Sequence, residues 1–137
     1  MSGNDLQAPG EAKLEALVEA MYLAASADGE FSPVERAHFL KSVESLTDGR
    51  LPTARLAQLV AEADEALERE GRKARLLSVR NRLPDAGSRR VALSMAIRVA
   101  AADGIIYPSE RELLLETAET LEIDREEAAN LISSLDR

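Results

Sequence analysis

The chain has 137 residues, 45% of them hydrophobic and only 3% aromatic, which is enough apolar material for one core and favours helices packed through Ala and Leu over a β-sheet. It contains no cysteine, which excludes disulfides, thiolate metal sites and cysteine nucleophiles, and no apolar run approaches the length of a bilayer span. The net charge of −8 conceals a basic block: between Arg69 and Arg90 eight Lys and Arg face two acids, a local +6 that leaves −14 on the rest.

In chain order, "MSGNDLQAPG" lacks the apolar centre of a signal peptide, so residues 1–10 are expected to form a flexible tail on a soluble, cytoplasmic domain covering 11–137. The first helix is predicted from Glu11 to Ala27, with Leu14, Leu17, Val18, Met21, Ala24 and Ala25 forming a stripe at i, i+3, i+4 spacing. Gly29 should end it. Ser32-Pro33-Val34-Glu35 opens a second helix carrying Phe39, Leu40, Val43 and Leu46 inward, and "TDGR" closes it. A third begins near Thr53 and runs to about Glu70, with Leu56, Leu59, Val60, Ala63 and Leu67 apolar. The fourth, "RKARLLSVRNRL", is short and basic and must close before Pro84. The fifth spans about Asp85 to Ala102, with Val91, Leu93, Met95, Ala96, Val99 and Ala100 as its apolar residues, and stops at Gly104. The sixth runs from Pro108 to Leu121. Asp124 and Glu127 form a capping pair for the seventh, which buries Ala128, Leu131, Ile132 and Leu135.

Internal repetition is the strongest feature. Met21 to Leu46 aligns without a gap on Ala96 to Leu121, sharing ten of twenty-six residues, and Leu51, Leu59 and Val60 then fall on Ile123, Leu131 and Ile132 after a three-residue shift. The expected fold is therefore all-α: a compact seven-helix bundle with a pseudo-twofold axis. Two three-helix repeats, about 11–70 and 85–137, would be joined by a short basic helix at about 71–84. Two copies are too few for a solenoid, so closure about the axis is expected.

The repeat centres on one phrase, "SADGEFSPVER" and "AADGIIYPSER". Each copy matches the second half of a calcium EF-hand loop, but the loop's first and third ligand positions fall on Ala24 and Ser26 in one copy and on Val99 and Ala101 in the other. Two primary oxygen ligands are missing from each, which argues against a complete EF-hand. Capping explains much of the phrase: Gly29 and Gly104 can end a helix, Pro33 and Pro108 suit a first helical position, and Glu35 and Glu110 can satisfy free amides there. Arg36 and Arg111 fit capping less well, since a cation in the first turn opposes the helix dipole and calls for an acidic partner. Two readings stay open, structural corners or part of a binding site. A pseudo-twofold could gather Asp28, Glu35, Asp103 and Glu110 into one acidic cluster able to hold a hydrated divalent cation.

Other candidates are thinner. His38, the only histidine, falls on Leu113 in the repeat and is expected on the rim of the bundle. No phosphate loop, serine elbow or histidine pair is present, so no enzyme is expected. Two readings fit the basic block: a solvated helix pairing with its own acidic neighbours, or a docking surface for an acidic or membrane-surface partner through Arg72, Lys73 and Arg75. With no aromatic inside it to stack on bases, nucleic-acid binding is not expected.

"LAASADGEFSPVER", "AIRVAAADGIIYPSERELL" and "LEIDREEAANLI" together resemble the tellurite-resistance TerB family and the TerB-like domain of DjlA-type membrane-anchored co-chaperones, over about Leu14 to Leu135. The resemblance implies a cytoplasmic, non-enzymatic, pseudo-symmetric helical bundle associated with tellurite and chemical stress. It also implies a metal site at Asp28, Glu35, Asp103 and Glu110, and protein partners at the inner face of the membrane. One departure stands out: glycine commonly follows the sixth helix in such domains, whereas Glu122 stands here.

Overall fold

The computed structural model describes residues 2–26, 33–47, 49–101, 106 and 108–135, without the side chains of residues 2–11, Glu35 and Leu135. Seven helices follow in order: α1 (Ser2–Ala25), α2 (Pro33–Leu46), α3 (Thr53–Glu70), α4 (Arg72–Arg82), α5 (Ala86–Ala100), α6 (Pro108–Thr120) and α7 (Arg125–Leu135). The described residues contain no strand, as the composition requires.

The boundaries follow the sequence signals closely, and where they differ the reason is local. Helix α1 begins at Ser2 and not at Glu11. Pro9 removes one amide donor and disfavours a helix interior, yet the backbone stays helical through it. Pro33 and Pro108 open α2 and α6 at first helical positions, as expected. Asp85 caps α5 by accepting from the Ser88 amide at 2.8 Å and the Ser88 hydroxyl at 2.9 Å. Asp124 caps α7, accepting from the amides of Glu126 at 3.1 Å and Glu127 at 3.3 Å. Gly71, at φ +90°, lies between α3 and α4, and its amide donates to the Leu67 carbonyl at 2.9 Å. At the end of α6, Glu122 takes the left-handed conformation (φ +63°), and the next amide, of Ile123, donates to the Ala118 carbonyl at 2.9 Å. That is the glycine-type helix stop made with a side chain present.

Helices α1 and α5 form the centre of the bundle and pack against each other more extensively than any other pair. Lys13 on α1 meets Asp85, the cap of α5, at 3.3 Å, and one turn further along α1 Leu17 shares a groove with Ser88 and Val91, one and two turns along α5. Helix α4 runs against α1, from Leu23 back to Glu19, and alongside α6, with Glu116 acting on Arg72 and Glu122 meeting Arg80. Helix α6 ends at the start of α5, where Glu122 pairs with Arg89, so α5 runs against α6 and parallel to α1, with the pseudo-twofold between them. Each carries its own repeat around it: α2 and α3 pack on α1 as α6 and α7 pack on α5, and each of α2 and α6 also touches the other half's central helix. Helix α4 has no counterpart. It runs back along α1, with Arg72 at the Leu23 carbonyl and Arg75 and Arg82 at Glu19.

One continuous apolar cluster unites all seven helices. The expected stripe on α1 understates its burial: Ala16, Val18, Ala20, Met21, Tyr22 and Leu23 are all at most 1% exposed, so this helix is enclosed on nearly every side. Small alanines at 16, 20 and 24 permit that close approach. On α5 the buried residues are Ala92, Leu93, Ala96, Ile97 and Ala100. Val91, read as part of that helix's apolar set, is instead 44% exposed.

Candidate functional site

The two repeated corners follow the C-terminal ends of α1 at Ala25 and α5 at Ala100. Asp28, Gly29, Asp103 and Gly104 lie outside the described residues, as does the side chain of Glu35. Glu110, in the first turn of α6, is half-buried and engaged in an interaction, as is Arg36 in the first turn of α2; Arg111 is exposed. Because α1 and α5 run parallel, both helix ends point to the same end of the bundle. The Arg72 guanidinium donates to the Leu23 carbonyl at 2.7 Å in the last turn of α1, and the charge of Glu116 on α6 acts on the same guanidinium. Arg36 in turn acts on Tyr22. Among the described residues, no three His, Asp or Glu side chains come together as a metal site.

Tyr22 is the polar hinge of this end. It is 1% exposed, its hydroxyl donates to Asp64 on α3 at 2.6 Å, and its ring meets Phe39 edge-on at a centroid distance of 6.2 Å. Burial first, and then the Asp64 carboxylate, push the phenol well above its usual pKa, so it is a permanent donor at neutral pH. Arg72 is held the other way: burial depresses it, and the charge of Glu116 opposes that shift. One of its terminal nitrogens, Nη1, is buried without a hydrogen-bond partner among the described residues.

A second polar centre lies between α1 and α4. Glu19 is 6% exposed in the middle of the most enclosed helix. Arg75 donates to both of its oxygens, at 2.7 Å and 2.9 Å, and Arg82 donates to one of them. Burial disfavours the ionised carboxyl, but the two guanidiniums outweigh it and hold Glu19 below the ordinary carboxylate range; the same bonds raise Arg75 further above its usual value. Glu19 and Tyr22 were missed in the sequence reading. The available signal was one acid inside "LVEAMYLAA", a run too apolar to tolerate a charge without a cationic partner, in a chain with a basic helix nearby.

The basic block is accordingly engaged within the molecule. Arg75 and Arg82 hold Glu19, Arg89 pairs with Glu122 at 2.9 Å and donates to the Leu83 carbonyl at 2.6 Å, and Arg90 pairs with Glu127 at 2.5 Å. Of the three residues assigned to partner docking, Arg72 and Arg75 face α1, and only Lys73 is exposed. His38 is exposed on α2, at the rim as expected.

The family model for "Tellurite resistance protein TerB" matches residues 14–132. The chain belongs to the TerB family. No curated protein and no solved structure matches it. In this TerB protein the matched span runs from the middle of α1 into α7 and takes in both repeats, both corners and the unpaired helix α4. No helix among the described residues is long and apolar enough to cross a membrane.

Proposed function

We propose that this TerB domain is a non-enzymatic, cytoplasmic binding module of the tellurite-resistance type that holds a divalent cation at its paired acidic corners and communicates with protein partners in chemical stress. The observation that carries the reading is the parallel course of α1 and α5, which directs the two helix ends preceding the corners to one end of the bundle. The donor chemistry suits it. Asp28, Glu35, Asp103 and Glu110 are hard oxygen donors, and calcium or manganese with water completing the shell is the type of ion they fit. Pro33 and Pro108 start α2 and α6 at equivalent positions, so the repeat is kept up to the first turns that carry Glu35 and Glu110.

Thermal unfolding with calcium, manganese or zinc tests this. The ion is expected to raise the Tm of the wild-type chain and leave Asp28→Asn/Asp103→Asn unchanged. Equal shifts in both proteins, or no shift in either, would count against the site. The alternative of docking through the basic segment is disfavoured by the internal pairing of Arg75, Arg82, Arg89 and Arg90.

A further inference from the structure

The described cavities include one of about 490 Å³ that is chiefly apolar, lying between the first half of α1, the turn after α2 and the junction of α4 with α5. Its apolar wall is formed by Leu14, Leu17, Leu83 and Val91, and its rim carries the Lys13–Asp85 pair and Arg50. Lys13 and Asp85 neutralise each other. Arg50 is exposed and forms no ion pair among the described residues, so within these residues the rim carries one positive charge without a paired carboxylate.

The second half of the molecule shows how the charge at the equivalent turn is met. Leu14 falls on Arg89 in the repeat, and Arg50 precedes Leu51 just as Glu122 precedes the matching Ile123. In the second half Arg89 and Glu122 form an ion pair at 2.9 Å beside a cavity of about 270 Å³, and Arg89 also binds the Leu83 carbonyl, so the charge at the turn is answered from within. In the first half the charge at the turn is reversed to Arg50 and its opposite number is the apolar Leu14. Among the described residues no carboxylate pairs with Arg50 as Glu122 pairs with Arg89.

From this asymmetry we infer that the groove docks a short amphipathic segment of a partner protein, which seats apolar side chains against Leu14, Leu17 and Val91 and places an Asp or Glu carboxylate on Arg50. The binding mode is that of an apolar helix face in a groove, with one charge fixing its register. Val91, the exposed aliphatic residue of α5, gains a cover, and Arg50 gains the counter-charge that its repeat position has internally. The groove is separate from the acidic corners, so this docking stands or falls independently of cation binding there.

The test uses a phage-displayed library of 16-residue amphipathic peptides selected on the full-length wild-type chain. Enriched peptides are expected to carry an acidic residue beside apolar residues at i, i+3 or i+4 spacing, and synthetic versions to shift the amide resonances of Leu17, Arg50 and Val91. Arg50→Glu should weaken them at least tenfold, and a peptide whose acid is changed to Lys should regain affinity for Arg50→Glu. Val91→Asp, also at an exposed position, should weaken all of them, with retained Tm showing that both variants fold. The inference is overturned if no peptide is enriched, if selected peptides lack an acid or shift resonances elsewhere, or if Arg50→Glu binds them equally. Self-association of the wild-type chain abolished by Arg50→Glu would also overturn it, giving the groove to a second copy.

Discussion

The two halves of this TerB protein share their helices but not their charges. Glu15 on α1 pairs with Arg55 on α3 at 2.5 Å; at the repeat-equivalent positions Arg90 on α5 pairs with Glu127 on α7, also at 2.5 Å. The ion pair recurs with its signs exchanged. Glu19, by contrast, has Ser94 as its counterpart, because its partners come from α4, and α4 packs on α1 without an equivalent on α5. Duplication preserved geometry where apolar packing specifies it and left polar chemistry free to diverge wherever a pair stayed complementary.

The largest expected effect breaks the asymmetric element. Glu19→Gln leaves two partly buried guanidiniums without their carboxylate and should destabilise the fold by about 3 kcal/mol in urea unfolding. Ser94→Ala at the matching place should stay within about 0.5 kcal/mol. Removing the whole triad, Glu19→Met with Arg75→Leu and Arg82→Leu, should cost far less than Glu19→Gln alone, since no buried charge is then left unpaired.

The same centre sets a pH dependence. The folded carboxyl of Glu19 is depressed, so its stabilisation is present above the unfolded value of about 4.3 and is lost as pH falls through the lower folded value. Asp85, held at about 2 by the Ser88 amide and hydroxyl and then by Lys13, adds a loss in the same direction. Tyr22 acts at the other extreme: its folded pKa is raised, so its contribution is intact below the unfolded value of about 10 and falls as pH rises beyond it. Unfolding free energies across pH 2–11 should decline at both ends, with Glu19→Gln flattening the acid limb and Tyr22→Phe the alkaline one. An unchanged acid limb in Glu19→Gln would refute the assignment.

Exchanging signs sharpens the comparison further. Glu15→Arg alone should lose about 1 kcal/mol by facing Arg55, and adding Arg55→Glu, which reproduces the order of the second half, should restore most of it; both side chains are about 30% exposed, so the effect is modest. A double-mutant cycle measures this coupling. The smallest effect concerns Glu122. Its left-handed backbone costs about 1 kcal/mol relative to glycine, partly offset by contacts with Arg89 at 2.9 Å and Arg80 at 3.6 Å that are 63% exposed on the Glu122 side. Glu122→Gly should therefore raise stability by about 0.5 kcal/mol, more clearly at high salt where the ion pairs are screened.

Much of the fold was legible because its signals are local. Pro33 and Pro108 state where helices begin, Asp85 and Asp124 cap as their residue type allows, and Gly71 separates two helices at a positive φ. The departures are equally local in cause. Glu122 stops α6 where glycine is usual, with Arg89 and Arg80 offsetting part of the cost of its left-handed backbone, and Val91 belongs to an apolar pattern yet lines an open groove. Of the candidate site, the sequence supplied the four acidic residues and their duplication. The parallel course of α1 and α5, which directs their two ends to one end of the bundle, was not legible.

By itself the sequence determined the helices, the duplicated unit and membership in the TerB family, because periodicity, capping residues and breakers act over a few residues and a repeat copies them intact. Only the tertiary structure decided which charges meet. Glu19 and Arg82, like Arg55 and Glu15, are brought together by packing across the bundle, and no spacing along the chain announces a contact made in that way. The sequence left the basic block between pairing with its own acidic neighbours and docking a partner, and in the fold it is chiefly an internal brace, while Arg50, one unremarked residue in a turn, faces an open groove.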